Sequence, residues 1–556
     1  MQSSNTQQLF QQAFKLHQNR NLQDAEILYR DILKQNNFHI GANTMLGSLL
    51  IQTDRNIEGI KLLKMSLSQD DKQFFAHNLL GIGFFKINKH KEAFKSLTKA
   101  IKLKPDYIDA HFNLGNVQKA LLKFSDAVIS YTNCISLDIN YCNAYVNRAN
   151  IYLENIKDFD KALFDYQKAI KLSSNPYILF NYGNALKELK RLDEALHVYD
   201  KSIELKPDYV DAYNNRGIVL KDLKHFDDAV ISYDRAIQIK PDYVDAIFNK
   251  SILKLLLGEY KEGWQLYESR KDKEDNKNQY PKFQASLWLG NVSIKDKTLL
   301  VHSEQGLGDS IQFCRYLPIL KSFKPKKIIF HVEKLLLSLL SSMDNEITFL
   351  EKNRALPSFD YYCPLMSLPL ALKITLETIP ANIPYLKVDN VKNKHWQEKL
   401  GKQTKPRIGL VWSGSTKHKN DHNRSLKLQQ LSSLLKLPFE FHSLQKDIRD
   451  GDKKTLKAYK NIDQHHKDLD DFSDTAALVN QMDLIISVDT SVAHLAGALG
   501  KKVWILLPFI VDFRWLLDRD DSPWYPTAKL FRQSQIGDWN SVIQQLISEL
   551  NILISK

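Results

Sequence analysis

A repeat of 34 residues runs through the first half of this chain of 556 residues and limits its fold more than any other feature. Small residues recur at this spacing at Ala13, Gly47, Gly81, Gly115, Ala149, Gly183, Gly217 and Ser251. Tyrosines recur with nearly the same period at Tyr29, Tyr131, Tyr166, Tyr199, Tyr233 and Tyr267. This period predicts stacked pairs of α-helices. The small residues let the two helices of a pair approach, and we expect the tyrosines to fill the gap toward the next pair.

Prolines complete the pattern after the second helix of a pair, because proline cannot continue a helix. They stand at Pro105, Pro207 and Pro241. Together these features resemble the tetratricopeptide repeat, as eight repeats over roughly residues 6–277. The resemblance implies an α-solenoid with a concave face, and such solenoids usually bind polypeptide segments. An asparagine also recurs in the first helix, at Asn113, Asn147, Asn181, Asn215 and Asn249. These side chains either hydrogen-bond an extended peptide or satisfy neighbouring helices, and both interpretations stay open.

The composition is that of a globular protein, with 43% hydrophobic and 25% charged residues. No apolar run approaches the ~18–20 residues of a membrane span, and we expect no secretory signal. Four cysteines show no metal-binding spacing, so a reducing cytoplasm is the expected location. The net charge of +13 indicates either a lysine-rich solvated surface or a phosphate-bearing ligand. No dense basic run with interleaved aromatic residues indicates nucleic acid.

Beyond the charged residues 271–278, short apolar runs alternate with helical stretches, which predicts parallel β-sheets. We expect strands near residues 298–302, 327–332, 347–350, 361–364, 407–412, 439–444, 484–488, 503–507 and 528–531. The polar stretch 388–405 is interpreted as a linker between two lobes. The predicted domains are the solenoid (1–277), a first α/β lobe (278–395) and a second α/β lobe with a C-terminal helix (396–556). A ligand cleft is expected at the carboxyl ends of the strands.

The first candidate site follows the first strand of this half, in residues 303–318. Gly306 and Gly308 permit a tight turn from strand to helix. Ile311 occupies the third glycine position of a dinucleotide-binding fingerprint, so that motif is absent. Asp309 stands at the start of the helix. Its carboxylate either accepts a proton in the cleft or caps the helix, which would stabilise it by ~1 kcal/mol.

The second candidate site is the polar loop 412–425, which again follows a strand. Ser413, Gly414 and Ser415 can present backbone N–H groups to a phosphate. Positive charge would come from Lys417, Lys419 and Arg424. The alternative is a polar loop without a ligand, but three cations beside a glycine turn favour phosphate binding.

The third candidate site lies in residues 487–500, where a buried strand runs into Asp489. Thr490 and Ser491 open a helix whose first N–H groups and dipole favour an anion. Asp489 could accept a hydrogen bond from a sugar or ribose hydroxyl. His494 lies on the first turn of the same helix and is either a ligand contact or a structural residue.

Two acids separated by a leucine, Asp468 and Asp470, match the metal-binding DxD of some glycosyltransferases. They precede a helical run that begins near Asp474, so helix capping or a surface position is favoured and no metal is expected. The sequence contains no glycine–lysine phosphate loop, zinc-ligand set or nucleophile elbow.

Several of these segments, taken together, resemble glycosyltransferase family 9 and its tetratricopeptide-fused bacterial members. They are residues 263–270, 304–309, 443–446, 488–497 and 515–526. The type members of that family are the bacterial ADP-heptose–lipopolysaccharide heptosyltransferases, and the resemblance extends over roughly residues 258–545. It implies a GT-B fold of two Rossmann-like lobes that binds a nucleotide sugar mainly through the C-terminal lobe. It also implies inverting transfer without an obligatory metal or any other cofactor.

Carried onto this chain, the resemblance makes Asp309 the general base near the acceptor. The acceptor-side loop would consist of Glu304, Gln305, Gly306 and Gly308. The nucleotide-sugar site would consist of Ser413, Gly414, Lys417, Arg424, Gln445, Lys446, Asp489, Thr490, Ser491 and His494. The basic acceptor loops of the heptosyltransferases have no recognisable counterpart here, so neither the sugar nor the acceptor is defined.

The sequence therefore predicts an inverting glycosyltransferase that moves a sugar from a nucleotide sugar to an acceptor hydroxyl. Its solenoid would recruit the acceptor, a polypeptide or a cell-envelope glycan. The alternative is a non-catalytic repeat scaffold that retains a sugar-nucleotide-binding module. The presence of Asp309, Asp489 and His494 favours the enzyme, because a binding module would tolerate their loss.

Overall fold

The computed structural model describes residues 2–276, 280–418 and 420–554. Its first half is a tetratricopeptide α-solenoid, as the repeat predicts, and within the described residues it comprises sixteen α-helices. These are α1 (Gln2–Gln18), α2 (Leu22–Gln35), α3 (Ile40–Gln52), α4 (Asn56–Gln69), α5 (Phe74–Lys86), α6 (His90–Leu103), α7 (Ile108–Ala120), α8 (Phe124–Leu137), α9 (Cys142–Ile151), α10 (Phe159–Leu172), α11 (Pro176–Glu188), α12 (Leu192–Leu205), α13 (Val210–Asp222), α14 (Phe226–Ile239), α15 (Val244–Leu256) and α16 (Tyr260–Tyr267).

The recurring small residue of the first helix lies against a large residue of the second helix. A Cβ atom on Gly115 would lie 2.6 Å from the ring of Tyr131, and one on Gly183 would lie 2.7 Å from Tyr199. The backbones can therefore approach this closely only where a side chain is absent or very small. Tyr131 and Tyr199 therefore pack on the glycine of their own repeat, while Tyr166 also contacts Tyr182 of the next repeat, with ring centroids 6.4 Å apart.

The turn between the two helices of a repeat has the same backbone conformation each time. It contains a residue with φ between 59° and 80°, which lies in the left-handed region. These residues are Arg20, Asp54, Asn88, Leu122, Lys157, Lys190, Lys224 and Gly258. Only one of the eight is glycine, so no residue pattern in the sequence marks this feature.

Contacts divide the chain into two compact units, Met1–Leu223 and Lys224–Lys556. The second unit contains α14, α15 and α16 together with the α/β half of the chain. Tyr260, Trp264 and Tyr267 of α16 belong to the same hydrophobic core as the strands that follow. The end of the repeat array is thus part of the body that carries the candidate site.

The second unit contains two parallel sheets, and the first has the strand order β1-β5-β2-β3-β4. Its strands are β1 (Ser286–Leu287), β2 (Thr298–His302), β3 (Lys327–Val332), β4 (Ile347–Glu351) and β5 (Tyr361–Pro364). Its α-helices are α17 (Leu307–Phe313), α18 (Lys334–Ser341) and α19 (Leu368–Ala371).

The second sheet has the strand order β11-β10-β9-β6-β7-β8 and is also parallel throughout. Its strands are β6 (Arg407–Val411), β7 (Glu440–Ser443), β8 (Ile462–Gln464), β9 (Leu484–Val488), β10 (Val503–Leu507) and β11 (Ala528–Arg532). The α-helices of this region are α20 (Asn390–Leu400), α21 (Asp421–Arg424), α22 (Asp450–Ala458), α23 (Phe472–Asn480), α24 (Ser491–Ala498) and α25 (Trp539–Ile554). No helix among the described residues is long and apolar enough to cross a membrane.

All nine predicted strands are present, within one or two residues of the predicted bounds. The two that the sequence analysis missed, β1 and β8, have only two and three residues. The stretch 388–405 is more than a linker, because it contains α20, and the predicted boundary at 395/396 falls inside that helix. Trp396 of α20 is buried, and Asn393 accepts hydrogen bonds from Asn480 and Gln481, which attach α20 to α23.

Arg315 ties the two sheets together from a buried position. Its Nη1 donates to the carbonyl of Trp524 at 2.7 Å, and its Nη2 donates to the hydroxyl of Tyr385 at 2.9 Å. The backbone N–H of Tyr385 in turn donates to the carbonyl of Ala498, at the end of α24. These bonds fix the loops that follow the strands against one another.

Candidate functional site

The candidate site lies where the order of strands reverses in each sheet. In the first sheet β2 lies between β5 and β3, and in the second β6 lies between β9 and β7. Loops that leave such neighbouring strands in opposite directions open a crevice at the carboxyl edge, where α/β proteins bind ligands. The loop after β2 leads into α17, which carries Asp309; the loop after β6 begins at Trp412, and the loop after β9 begins at Asp489. All three sequence-predicted sites are therefore placed at these positions.

Asp309 lies in the first turn of α17 and has two different partners. Its Oδ2 accepts a hydrogen bond from the N–H of Gly306 at 2.8 Å, and its Oδ1 is ion-paired with Nη2 of Arg514. Burial raises the pKa of Asp309, and the guanidinium of Arg514 opposes that rise. Asp309 is thus both a helix-capping residue and a charged group of the cleft, so the two interpretations of the sequence are not exclusive.

Glu304 points into the interior rather than toward the cleft. Its carboxylate accepts from Nε of Arg270 at 3.0 Å, from Nη2 of Arg270 at 2.7 Å and from the N–H of Met366 at 3.0 Å, and it also pairs with the hydroxyl of Tyr280. Burial opposes ionisation, but Arg270 outweighs it, and the pKa of Glu304 is lowered. Glu304 therefore anchors the acceptor-side loop and does not present its carboxylate to a ligand.

Two of the remaining three residues of this loop are exposed, and the third faces the second sheet. Gln305 is exposed, has a φ of 61° and exchanges hydrogen bonds with the hydroxyl of Tyr267. Gly306 is also exposed. Gly308 faces the second sheet, since a Cβ atom there would lie 3.0 Å from Cδ2 of His494 and 3.3 Å from Cα of Ser491. The start of α17 therefore touches the start of α24.

The start of α24 brings Asp489, Thr490, Ser491 and His494 together, as predicted. Asp489 retains partial exposure, and burial together with the charge of Asp512 raises its pKa to about 6. The hydroxyl of Thr490 contacts that of Ser487 at 3.1 Å. The first N–H groups of a helix have no acceptor within the helix, so Ser491 opens a site that favours an anion.

His494 is buried and held on both sides. Its Nδ1 lies 3.0 Å from the hydroxyl of Tyr525, and its Nε2 lies 3.8 Å from Oδ1 of Asp489. Its ring stacks on Trp515 with centroids 5.4 Å apart and planes at 14°. Burial, reinforced by Arg514, lowers the pKa of His494 well below 6.5. The imidazole is therefore neutral at pH 7 and cannot serve as a cation for phosphate.

The loop after β6 has a different geometry from the one that its composition predicts. The N–H of Ser413 donates to Oε1 of Gln445 at 3.3 Å, and the N–H of Gly414 donates to the hydroxyl of Ser425 at 3.0 Å. Gln445 also donates to the carbonyl of Ser413 at 2.8 Å. These two N–H groups are already satisfied, so the expectation that they bind a phosphate does not fit this arrangement. Gln445 instead stabilises the conformation of the loop through its two hydrogen bonds with Ser413.

Arg424 is the cation of this loop that reaches the crevice. Its Nη1 donates to the carbonyl of Asp489 at 2.9 Å, and its buried Nε lies 3.8 Å from Oδ1 of Asp421. A Cβ atom at Gly414 would lie 2.6 Å from Nη2 of Arg424, so a side chain there would displace the guanidinium. Lys417 is exposed, and Lys446 donates to the carbonyl of His466 at 3.2 Å. Lys419, also predicted to contribute, lies outside the described residues.

Sequence reasoning missed Asp512 and Arg514, which lie at the turn Phe513–Trp515 after β10. Arg514 pairs with Asp309 and with Oδ1 of Asp512 at 2.7 Å, and its Nε donates to Oε1 of Gln312 at 2.7 Å. The positions of Asp512 and Arg514 in the sequence could have identified them. They follow β10, which lies next to β9, and polar residues at the carboxyl ends of adjacent parallel strands share one edge of the sheet.

Asp468 and Asp470 do not form a metal site together. Asp468 pairs with Lys399 at 2.6 Å, and the N–H of Asp470 donates to Oδ2 of Asp474. The described residues contain no cluster of three or more histidine, cysteine, aspartate or glutamate side chains that could hold a metal ion.

The recurring asparagines link consecutive repeats in the first compact unit. Nδ2 donates from Asn113 to Asn78 at 3.0 Å, from Asn147 to Asn116 at 2.9 Å and from Asn215 to Asn184 at 2.8 Å. Asn116 and Asn184 also accept from the hydroxyls of Tyr131 and Tyr199. These bonds support the structural interpretation of the ladder. Each donating amide carries a second N–H and an acceptor oxygen, so the ladder can serve both roles.

Models of the tetratricopeptide repeat match the first half of the chain in four places. A model described as "TPR repeat" matches residues 83–121 and 183–224, and two described as "Tetratricopeptide repeat" match residues 143–176 and 210–243. Tetratricopeptide repeats suggest protein partners.

One curated relative extends beyond the repeats. Protein FlbA of Caulobacter vibrioides is 25% identical over 425 residues, which cover 68% of this chain and 68% of FlbA. Solved structures resemble parts of the chain. They include pilF of Pseudomonas aeruginosa, with a TM-score of 0.34 and 17% identity over 37% of this chain and 93% of that one. Another is a thermophilic TPR protein of Thermus thermophilus, with a TM-score of 0.28 and 20% identity over 33% of this chain and 98% of that one.

Proposed function

We propose that the second compact unit is an inverting glycosyltransferase of GT-B architecture whose tetratricopeptide solenoid recruits the acceptor. The observation that supports this most is the meeting of the two switch-point loops. Gly308, next to Asp309, lies against His494 and Ser491 at the start of α24. A crevice between two parallel sheets suits a reaction that joins a donor held by one sheet to an acceptor presented at the other.

Asp309 is the proposed general base. In an inverting transfer the acceptor hydroxyl attacks C1 of the sugar while the bond from C1 to the phosphate oxygen breaks. The electron pair of that bond leaves with the nucleoside diphosphate, and the proton of the acceptor passes to Oδ1 or Oδ2 of Asp309. A positioned base contributes a factor of ~10²–10⁴ to such a rate.

The C-terminal sheet is the proposed donor side. The first turn of α24 would hold the diphosphate, and Arg424 would balance its charge from the neighbouring loop. Asp489, raised by burial to a pKa of about 6, would share a hydrogen bond with a sugar or ribose hydroxyl. No step of this mechanism assigns a role to a metal ion.

The solenoid is the proposed acceptor-recruiting part. Its repeats suggest a protein partner, and the asparagine amides that link the repeats have capacity left for a peptide backbone. A polypeptide acceptor is therefore favoured over a cell-envelope glycan. Since residues 224–556 form a compact unit of their own, recruitment and transfer should be separable.

The first test is thermal melting of the whole protein with UDP, GDP, ADP or CMP. A ligand at ~100 times its Kd stabilises by ~2.7 kcal/mol, which moves a melting point by several degrees. We expect one nucleoside diphosphate to shift the melting point and Asp489→Ala to lose the shift. The matched control is Asp468→Asn, which alters a carboxylate paired with Lys399 outside the crevice. If no nucleotide stabilises the protein, the proposed donor site and the proposed function are wrong.

The second test uses the nucleotide so identified. Asp309→Asn should retain nucleotide binding and lose turnover of the corresponding nucleotide sugar by at least ~100-fold. Retained turnover would leave Asp309 with its capping role alone.

A further inference from the structure

Arg514 lies between the proposed base and the proposed donor site. It pairs with Asp309 on one side, while the next residue, Trp515, stacks on His494 at the start of α24. After burial, its guanidinium is the main cause of the lowered pKa of His494, and it opposes the rise that burial causes in the pKa of Asp489. Its charge thus acts at both sides of the crevice, although only 9% of its side chain is exposed.

Guanidinium groups around this crevice are already engaged by carboxylates. Asp309, Asp489 and Asp512 face Arg424 and Arg514, and the charge of Asp512 adds to the effect of burial in raising the pKa of Asp489. A diphosphate brings two or more further negative charges. It needs a cation that is not fully committed to a carboxylate, because an unpaired anion in a buried site is strongly unfavourable.

We propose that Arg514 exchanges partners, holding Asp309 when the donor site is empty and the diphosphate of the donor when it is filled. This inference rests on the proposed function, because it assigns a regulatory contact within that site. Arg514 acts on Asp309 as a positioning residue and becomes a direct ligand of the donor.

The geometry of the guanidinium allows such an exchange. Arg514 has three separate anchors: Nε on Gln312, Nη1 on Asp512 and Nη2 on Asp309. Because Nε and Nη1 have acceptors of their own, the proposed exchange requires only that Nη2 change its partner. A guanidinium N–H donates to carboxylate and phosphate oxygens alike, so the chemistry of Nη2 suits either partner.

The exchange would also determine the sequence of steps in the reaction. In the empty site the ion pair with Arg514 opposes protonation of Asp309. When the diphosphate takes Arg514, Asp309 loses its counter-ion and its affinity for the acceptor proton rises. The same guanidinium then balances the negative charge that appears on the leaving diphosphate as the C1–O bond breaks. Donor binding thus prepares the base before the acceptor hydroxyl arrives.

The exchange makes an unusual prediction for binding, which calorimetry can test without knowledge of the sugar or the acceptor. Asp309→Asn should bind the nucleoside diphosphate about three- to tenfold tighter than the unaltered protein, because Arg514 no longer has to leave a carboxylate. The probes are UDP, GDP and ADP, each titrated alone, and the matching nucleoside without phosphates should show no gain.

The second arm removes the guanidinium. Arg514→Met should weaken diphosphate binding about tenfold or more, and in the double variant Asp309→Asn/Arg514→Met the gain from Asp309→Asn should vanish. Arg514→Lys keeps the positive charge but not the planar guanidinium. In this background, Asp309→Asn should tighten diphosphate binding less than it does in the presence of Arg514. Arg519→Met and Asp468→Asn are matched controls outside the crevice, where Arg519 pairs with Asp521 and Asp468 with Lys399.

Each outcome decides between the two proposals. If Asp309→Asn binds the diphosphate no tighter, the exchange is wrong and the glycosyltransferase proposal is unaffected. If the gain persists in the double variant, it reflects only the loss of a negative charge and the exchange is again wrong. If Arg514→Met does not fold, the binding by Asp309→Asn and Arg514→Lys still decides. If the unaltered protein binds none of the three diphosphates, the proposed function itself is wrong.

Discussion

The indole ring of Trp264 lies edge-on to the phenyl ring of Phe513, with centroids 5.9 Å apart and planes at 86°. Trp264 belongs to α16, the last helix of the repeats, and Phe513 directly precedes Arg514. The same indole packs edge-on to Phe313, at the end of α17, with centroids 6.1 Å apart. The last repeat therefore supports both elements that carry the ion pair between Asp309 and Arg514.

This contact predicts different outcomes for two truncations. A chain of residues 224–556 should fold and bind the nucleoside diphosphate, because it keeps the whole second compact unit. A chain of residues 278–556 starts at the boundary that the sequence suggested and should misfold. It lacks Tyr260, Trp264 and Tyr267, each 2% exposed, and the loss of one large core side chain already costs ~3–5 kcal/mol.

Solubility, circular dichroism and calorimetry with the nucleotide measure both outcomes. The chain of residues 224–556 should also lose transfer to a protein acceptor while retaining slow hydrolysis of the donor. A folded, nucleotide-binding chain of residues 278–556 would contradict the structural role of α16.

Much of the fold could be predicted from the sequence, because its signals are periodic or contiguous. Small residues such as Gly115 and Gly183 mark the repeat at a fixed spacing, and buried parallel strands such as β9 and β10 are continuous apolar runs. The strands β1 and β8 were missed since two or three residues form no run.

The position of a candidate site residue was predictable only where its motif is local in sequence. Asp309 and Asp489 each follow a strand and open a helix, and both were identified. Arg514 lies 205 residues from Asp309 and has no local pattern, so only the meeting of two sheets reveals the pair. At the loop of Ser413 the sequence instead suggested a phosphate site that the hydrogen bonds do not support. The composition of this loop suits a phosphate, yet Gln445, 32 residues further on, occupies the N–H of Ser413.

Gly308 should not tolerate a side chain. Gly308→Ala places a Cβ atom 3.0 Å from Cδ2 of His494, so α17 or α24 must shift by a few tenths of an ångström. We expect turnover to fall roughly tenfold, because small misplacements in a crevice have large effects on rate. Gly451→Ala is the matched control, since a Cβ atom there meets nothing within 4 Å. Steady-state kinetics would compare them, and equal rates would mean that the two helices adjust freely.

The buried pair of Arg270 and Glu304 should be strongly coupled. Arg270→Met leaves the Glu304 carboxylate buried with only neutral hydrogen-bond donors, which should cost ~3–5 kcal/mol of unfolding free energy. The double variant Arg270→Met/Glu304→Gln removes both charges and should recover part of that loss. Urea unfolding of the unaltered protein, both single variants and the double variant gives the free energies of this double-mutant cycle. Arg519→Met, which breaks a more exposed pair, should cost no more than ~1 kcal/mol. Additive effects of the two single changes would show that the pair is not coupled.

Asp489 should make the stability of the protein depend on pH near neutrality. Its pKa in the folded protein is about 6, which lies above the ~3.9 of an unfolded aspartate. The folded state therefore binds the proton more tightly, and this stabilising contribution is complete below pH ~4 and lost as the pH rises through 6.

Asp489→Asn mimics the protonated carboxyl at every pH. It should therefore match the unaltered protein near pH 4 and exceed its stability at pH 8, by about 2–3 kcal/mol from a shift of roughly two pKa units. Melting between pH 5 and 8 should show the gap widening. The control is Asp468→Asn, because the hydrogen bond from Lys399 lowers the pKa of Asp468 and leaves it ionised across this range. A gap for Asp489→Asn that stays constant with pH would mean that this carboxyl does not titrate there. The same variant should lose the nucleotide-induced shift if Asp489 binds the donor, so that stability and binding would change in opposite directions at pH 8.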